Sequence, residues 1–407
     1  MFLRRLLLQA LACALFCSQA AGAGELSLRG FGTLGLVHAN DDTLVYLREI
    51  SQYGENLANN PWRRDSRLGL QVNYAANPQW EFVAQFLARE KNASTLANSF
   101  EWAFVKYRPT PEWDLRAGRV GIDLFLLSDH RSVGYTYPWV RPPLEFYGEF
   151  ALASLDGIDI AHRWEIGDGQ LRGKVFAGRT STSLPLWTGS IPFSMQPMVG
   201  GSAEYESGAW RLRANLTQGR ITSRYLVPDE LVNLMNEAAP WWPGGATLMR
   251  EFEVKDTRMR YASLGAGYDD GTWQVLAEIS RTTAQRLVAP IGNRAYVSVG
   301  RRWGNWMPYV LIATANDKRH VSTSAPLTPL LAPLQEAALT AINRQQVRQS
   351  AWGVGARWDL APNMALKLQF DRARIPADGL LLWYVKPGKD WQGGHRNLWS
   401  ASLDFVF

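Results

Sequence analysis

The sequence is poor in cysteine, and both cysteines, Cys13 and Cys17, lie within the first 23 residues. That segment carries two arginines, a short apolar run and a small-residue site ending at Ala23, so residues 1–23 are predicted to be a secretory signal. The remainder has no thiol, which excludes disulfides, thiolate metal sites and a cysteine nucleophile there. Residues 24–407 contain no Pro/Ser-rich linker or block of like charge, and we expect them to form one unit.

Long hydrophobic runs are missing as well. After the predicted signal, no continuous apolar run reaches the roughly 20 residues that a transmembrane helix needs. Charge of one sign is not concentrated either: 43 basic and 37 acidic residues give a formal net charge of +6, and the excess is dispersed. A modest, scattered excess does not make the basic patch that nucleic-acid binding requires, so we predict no nucleic-acid partner.

Recognisable catalytic motifs are absent too. The chain has no Gly-x-Ser-x-Gly nucleophile elbow, no His-Glu-x-x-His metal motif and no phosphate-binding glycine loop. Its histidines are far apart in the sequence: His38, His130, His162, His320 and His395. We therefore predict that the protein is not an enzyme and holds no metal or cofactor.

The chain is rich in alternating stretches of about ten residues. In Leu398–Phe407, for example, Trp399 and Leu403 share one parity, whereas Ser400 and Asp404 share the other. About sixteen such stretches follow one another, joined alternately by tight turns and long connections. The pattern predicts an all-β fold, a transmembrane antiparallel barrel of about 16 strands with short periplasmic turns and long extracellular loops. Two loops contain predicted helices, at residues 228–238 and 329–344.

Aromatic residues collect beside the tight turns. They are Trp80, Trp113, Trp164, Trp210, Tyr268, Trp273, Trp303, Trp306 and Trp358. Trp and Tyr favour a membrane interface, because the ring is apolar while its N–H or O–H stays hydrated. The alternative, that they form the core of a soluble β-sandwich, gives no reason for placing them beside one class of turn.

Four features resemble the sixteen-stranded porins of Gram-negative bacteria. They are the predicted signal, the opening Gly30–Gly35, the segment Leu115–Arg119 before a long third loop, and the aromatic stretch ending at Phe407. The resemblance implies an outer-membrane channel, often a homotrimer, in contact with lipid and lipopolysaccharide. It also implies that the third loop folds into the pore and that the barrel-assembly machinery reads Phe407 as an assembly signal. The acidic third-loop segment of general porins is absent, with Pro143–Gly148 the nearest approach, so a cation preference is not implied.

On the parity assigned to the pore, basic residues outnumber acidic ones. The basic residues assigned to this wall are Arg29, Arg67, Arg89, Lys106, Arg116, Arg163, Arg172, Lys174, Arg211, Arg213, Arg260, Arg357 and Lys367. Rings of Arg or Lys favour anions, so we predict a weakly anion-preferring channel for small hydrophilic solutes. The alternative is that Arg and Asp pair across strands and leave little net field, and both readings stay open.

The third loop is predicted to form the constriction. The residues expected there are Arg67, Lys106, Arg116 and Arg119 on the wall and Asp123, Asp129, Arg131, Arg141, Glu145 and Glu149 on the loop. Loop acids opposite wall cations would create a transverse field across a narrow passage. Two alternatives remain: a substrate-specific channel for phosphate-like anions or oligosaccharides, and a structural barrel plugged by its helical loops.

Overall fold

Sixteen antiparallel strands close into one barrel. The computed structural model describes residues 24–40, 42–52, 57–91, 96–149, 152–186, 189–286, 291–317, 321–343 and 346–407. The predicted signal, residues 1–23, lies outside the described residues. The barrel strands follow the chain order around the wall, and β1 pairs with β18 to complete the ring. The predicted all-β barrel is confirmed.

Sixteen strands form the barrel, and two further strands lie outside it. The first half comprises β1 Glu25–Ala39, β2 Leu44–Tyr46, β3 Arg67–Ala75, β4 Trp80–Arg89, β5 Phe100–Tyr107, β6 Trp113–Gly121, β7 Ser154–Ile166, β8 Gly169–Leu186 and β9 Gly189–Ser207. The second half comprises β10 Trp210–Ile221, β11 Arg258–Asp269, β12 Trp273–Ala284, β13 Gly292–Arg301, β14 Trp306–Asp317, β15 Arg348–Ala361, β16 Met364–Ile375, β17 Trp383–Val385 and β18 Gly394–Val406. The short strands β2 and β17 pair with each other and stand apart from the barrel.

The two ends of the barrel differ. At one, the turn end, hairpins are tight; at the other, the loop end, most connections are long and folded. Helices occur in these connections: α1 Leu96–Ser99, α2 Leu144–Tyr147, α3 Asp229–Ala238, α4 Pro243–Phe252 and α5 Ala332–Asn343. The two predicted helical segments are confirmed as α3 and α5, whereas α4 was not predicted. None of the described helices is long and apolar enough to cross a membrane.

The outer face is apolar and the inner face polar, as the alternation predicts. On β3, Leu68 and Val72 are exposed on the outside while Arg67 is buried inside. Tryptophans at the turn end are also exposed, and several pair in register: the rings of Trp306 and Trp358 stack with centroids 4.8 Å apart. This row forms the interfacial girdle that the sequence predicts.

Two predicted boundaries are wrong. The sequence alternation predicts a strand that starts at Trp62, but β3 begins at Arg67. The sequence predicts a long loop over residues 179–197, yet β8 extends to Leu186, β9 begins at Gly189, and the two strands pair up to these residues. Here Ser and Thr pair through the backbone without an apolar alternation, for example where Thr182 lies opposite Phe193, so the sequence pattern did not reveal the strands.

Glycines line up where the third loop leaves the wall. Gly118, Gly157 and Gly178 are neighbours in register across β6, β7 and β8. Gly118 has φ of 128°, and a Cβ on Gly157 would lie 2.2 Å from the carbonyl oxygen of Ala177. Close backbone approach therefore requires glycine at this corner of the sheet.

Candidate functional site: loop 3 across the barrel lumen

The described part of loop 3, residues 122–149, folds into the lumen and contacts the inner wall on strands β11, β12 and β13. Near its start, the backbone N–H of Leu126 donates to Glu278 on β12 at 2.9 Å, and the Ser263 hydroxyl donates to the Leu124 carbonyl at 2.7 Å. Further along, the indole N–H of Trp139 donates to Ser298 on β13 at 2.8 Å. The prediction that the third loop folds into the barrel agrees with this placement.

Arg141 joins loop 3 to three separate parts of the chain. Its guanidinium contacts the carboxylates of Asp65 at 3.1 Å and Asp371 at 2.9 Å, and it donates to the hydroxyl of Ser400. The side chain is fully buried. Asp65 belongs to loop 1 (residues 40–66), and it also accepts from Tyr46 and from Arg48. Arg141 therefore fixes loop 3 to loop 1 and to strands β16 and β18.

A second cation fixes the backbone of loop 3. The Lys367 ammonium on β16 donates to the carbonyls of Gly134, Tyr137 and Trp139 at 2.6, 2.7 and 3.0 Å. It also lies 3.0 Å from the carboxylate of Asp404 on β18. Asp404, predicted to face the pore, is thus fully buried beneath the loop.

The underside of loop 3 is hydrophobic. Phe125 makes edge contacts with Tyr147 and with Tyr261 of β11, at centroid distances of 5.1 and 5.8 Å. Phe146 packs in the same cluster against Tyr296, at 5.3 Å. The aromatic residues of loop 3 therefore pack the loop against the wall.

Four of the predicted constriction residues are buried between loop and wall. Asp123 pairs with Arg213 and lies 3.5 Å from the Lys174 ammonium. Glu149 pairs with Arg294, which also contacts Asp317 at 2.8 Å. Glu145 accepts from Gln349 at 2.7 Å. Together with Arg141, these acids hold the loop in place, and none of the four is exposed to an open passage.

A different part of loop 3 is exposed inside the barrel. Asp129 is exposed, and the cations that act most strongly on its carboxylate are Lys174, Arg116 and Arg172 of β6 and β8. The next residue, His130, faces the positive charge of Arg211 on β10. This cluster of charges, which we call the eyelet, has Asp129 on the loop side and cations on the wall. Asp129 and Arg116 are among the residues predicted for the constriction, whereas Arg172 and Lys174 were predicted only to line the wall.

Three of the predicted wall cations, Arg67, Arg116 and Lys106, have polar partners inside the barrel. Arg67 and Arg116 point inward: Arg67 donates to the Ser132 carbonyl at 2.6 Å, and Arg116 makes a two-pronged contact with Asp159, its neighbour in register. Lys106 likewise pairs with its neighbour Glu81. Arg131 of the loop donates to the Leu152 carbonyl at 3.3 Å.

Two residues that were predicted to line the pore, Arg119 and Arg260, instead lie on the outward face of the barrel. Arg119 shares the side of Trp113 and pairs with outward-facing Asp156 at 2.8 Å. Arg260 was assigned to the pore because its apolar neighbours suggested the other parity. In fact Tyr261 faces inward to meet loop 3, so the apolar residues of this strand end lie on the lumen side.

Cross-strand pairing neutralises much of the wall. Besides the pairs of Arg116 and Lys106, Arg213 contacts Glu204 at 2.8 Å and Arg163 pairs with Asp114. Arg172 has no ion-pair partner among the residues that the structure describes. Arg116 and Lys174 both have acidic partners, so the positive field of the eyelet depends mainly on Arg172.

Loop 1 also folds against the inner wall. Glu49 is buried and contacts Arg89 of β4 at 2.5 Å. Although burial opposes its charged form, the guanidiniums of Arg89 and Arg131 and the Ser51 hydroxyl lower the pKa of Glu49 to about 2. Nothing in the sequence pattern identifies this contact, because its partners are 40 residues apart.

The Glu49 contact predicts how loop 1 responds to acid. Because the folded pKa of about 2 lies below the ordinary value of 4.5, its stabilisation is complete above pH 4.5 and is lost as pH falls towards 2. We expect tryptophan fluorescence and limited proteolysis of loop 1 to be unchanged between pH 7 and the ordinary pKa, and to change below it. The variant Glu49→Gln should remove that step; a step of the same size in the variant would contradict the assignment.

Comparison with known proteins identifies the fold. No protein-family model matches the sequence, and no curated protein matches it. Among solved structures, the anion-selective porin from Comamonas acidovorans superposes with a TM-score of 0.56 at 13% identity, over 94% of this chain and 100% of that chain. OmpF of Salmonella typhi in complex with daunomycin gives 0.54 at 11% identity, over 96% and 99%. OmpT of Vibrio cholerae gives 0.51 at 10% identity, again over 96% and 99%. The fold is that of the sixteen-stranded outer-membrane porins.

Proposed function

We propose that this chain is a porin of the Gram-negative outer membrane, a water-filled channel through which small hydrophilic solutes diffuse without being chemically altered. The observation that carries the proposal is the eyelet, where exposed Asp129 faces Lys174, Arg116 and Arg172 inside a barrel with an apolar exterior. Opposed charges across a narrow passage favour solutes that can align a dipole or shed little hydration. The similarity in fold to an anion-selective porin supports the same function.

We propose that the folded loops leave only a narrow channel. Loops 1 and 3 are held by buried ion pairs, and hydrophobic contacts join loop 3 to α3, α4 and α5 at the loop end. A passage confined to the eyelet side of loop 3 admits only small solutes. We expect single-channel conductance in planar bilayers to be low, and large oligosaccharides to be excluded in liposome-swelling assays.

A weak anion preference requires that the positive charge of Arg172 outweigh the negative charge of Asp129 at the eyelet. Arg172→Gln should therefore shift the reversal potential under a KCl gradient towards cation preference, and Asp129→Asn should shift it towards anions, because each removes one charge from the eyelet. Arg119→Gln is the matched control: the same charge change on the outward face should leave the reversal potential unchanged. Equal shifts in Arg172→Gln and Arg119→Gln would contradict the eyelet.

The plugged structural barrel is the second candidate, and the depth of loop packing favours it. Loop 1, loop 3 and β17 share one buried cluster around Tyr46, Leu144 and Trp383, which fills part of the loop end. Purified protein that gave no ion-dependent current in planar bilayers at any voltage would support this candidate and would exclude the channel.

The proposed function also concerns how the barrel assembles in the membrane. The porin resemblance leads us to propose a homotrimer surrounded by lipid and lipopolysaccharide, inserted by the barrel-assembly machinery with Phe407 as its signal. Cross-linking in membranes, followed by mass determination, would show the number of subunits.

A further inference from the structure

The first strand of the barrel extends past one of its neighbours at the loop end. β1 pairs with β18 as far as Ala39, but its pairing with β3 stops at Thr33, opposite Arg67. The next link on that side is made by a side chain, because the Gly35 N–H donates to the Ser66 hydroxyl at 3.0 Å. Beyond Gly35, the side of β1 that faces away from β18 meets no strand among the described residues.

The direction of the backbone shows which groups lie on this strand edge. In an antiparallel sheet, consecutive residues direct their N–H and C=O groups to opposite sides of the strand. Gly30 and Asn40 both bond to β18, so the even-numbered residues of β1 face that strand. Val37 and Ala39 consequently direct their N–H and C=O groups to the other side. No hydrogen bond joins these groups to any residue in the described part of the chain.

A groove of about 460 Å³ lies along this edge, and we call it the edge groove. β1 and loop 1 both line it, loop 1 through Ala58, Asn59 and Pro61. Val37 is only 2% exposed, so bulk water does little to satisfy its free backbone groups. Because a buried N–H or C=O without a partner costs free energy, a ligand that offered both donors and acceptors would stabilise this edge.

A buried cation also lines the edge groove. Arg64 is largely buried, and its Nε–H has no hydrogen-bond partner among the described residues. Asp65, the next residue in the chain, already contacts Arg48 and Arg141. Burial lowers the pKa of the Arg64 guanidinium, so a bound carboxylate would stabilise its charged form.

Lys386 adds a second cation at the rim of the edge groove. Its ammonium has no ion-pair partner in the part of the chain that the structure describes. Asp42 is the one acid among the described lining residues, and its carboxylate lies 3.4 Å from the Lys389 ammonium. Two cations without acidic partners therefore favour a ligand that carries a carboxylate.

We propose that the edge groove binds an extended, acidic peptide segment of an extracellular polypeptide. The peptide would add a strand to β1 through the backbone of Val37 and Ala39, and its carboxylates would contact Arg64 and Lys386. Strand addition uses main-chain hydrogen bonds for affinity and side-chain contacts for specificity. A simple anion fits this edge less well, because it cannot donate to the free carbonyls. The extracellular source rests on the proposed outer-membrane location, whereas binding does not depend on conduction.

Isothermal titration calorimetry of the purified barrel in nonionic detergent tests the proposal. The probe is the peptide acetyl-Thr-Glu-Val-Glu-Thr-amide, whose two glutamates lie on one face of an extended strand. A second peptide has glutamine in place of both glutamates, and a third is N-methylated throughout, which removes its main-chain donors. We expect each change to weaken binding by about tenfold or more, because charge-assisted contacts or main-chain hydrogen bonds are lost.

Variants of the barrel test the two parts of the site separately. A39P removes one backbone donor from the edge, and because the Ala39 N–H faces away from β18, proline breaks no hydrogen bond of the barrel there. We expect A39P to weaken binding of both the glutamate and the glutamine peptide. R64Q should weaken binding of the glutamate peptide by about tenfold while changing that of the glutamine peptide little.

K386Q tests the charge at the rim without altering a buried residue. Its matched control is K255Q, which removes an exposed lysine from another connection at the loop end. K386Q should weaken binding of the glutamate peptide, whereas K255Q should bind it like the wild type.

Three results would overturn the peptide site. Equal binding of the glutamate peptide and its N-methylated form would exclude strand addition. Equal losses in K386Q and K255Q would show a response to overall positive charge alone. If the wild-type barrel bound no peptide but conducted ions normally, the edge groove would not be a peptide site and the porin proposal would stand.

Discussion

Replacing Arg141 by alanine is expected to release loop 3 and to raise single-channel conductance several-fold. The guanidinium is buried between Asp65 and Asp371, and both carboxylates would lose a partner while staying inside the barrel. Removing one member of a buried ion pair typically costs about 3–5 kcal/mol, since the remaining charge is left uncompensated. Arg48 still contacts Asp65 at 2.9 Å, so we expect a value at the lower end of this range.

Planar-bilayer recording measures the conductance, and urea unfolding followed by tryptophan fluorescence measures the stability. The control is Arg348→Ala, which removes an exposed pair with Asp378 at the loop end. Surface pairs of this kind contribute about 0–1 kcal/mol, so this variant should behave like the wild type. Arg141→Lys should be intermediate, because an ammonium cannot make the two-sided contact of a guanidinium. If Arg141→Ala matched the control in both measurements, loop 3 would not depend on this residue.

Deleting Phe407 is expected to abolish most assembly into the outer membrane. Phe407 helps to close the barrel. Its N–H donates to the Gly30 carbonyl at 2.9 Å, and its carbonyl accepts from the Gly30 N–H at 2.8 Å. Its ring covers Gly30, where a Cβ would lie 2.1 Å from the ring, and stacks on Phe405. The deletion therefore removes two closing hydrogen bonds together with the aromatic side chain.

Two variants separate the contributions of Phe407. Phe407→Ala keeps the backbone hydrogen bonds and removes the ring, whereas Phe407→Tyr keeps an aromatic ring. The side chain is 60% exposed, so its loss should change detergent-refolded stability little. A recognition role predicts that Phe407→Ala refolds normally in detergent but is depleted from outer-membrane fractions, while Phe407→Tyr is not. Normal membrane levels for Phe407→Ala would reject the signal.

The sequence pattern was most informative where structure is local. Alternation over about ten residues identifies a strand with one apolar face, and this signal located all sixteen barrel strands and the girdle of Trp80, Trp113 and their neighbours. It was less reliable near the loop end. There Tyr261 faces inward against loop 3, which reversed the assignment of Arg260, and the Ser/Thr-rich hairpin of β8 and β9 had no apolar alternation at all.

The sequence did not reveal the role of the individual residues of loop 3. The composition of loop 3 and the wall indicated opposed charges, and Asp129 and Arg116 do lie at the eyelet. Arg141, Glu145 and Glu149 were expected at the same passage, yet they are buried as anchors. Burial depends on which wall residue meets each loop residue, and those partners are distant in sequence.

The sequence by itself determined the barrel, its strand number and which face meets lipid, because these follow from the period of two and from the turns between strands. Only the tertiary structure decided which charges are neutralised and which face open space. Arg141 meets Asp371 across 230 residues of chain, and Asp129 faces strands that no local pattern connects to it.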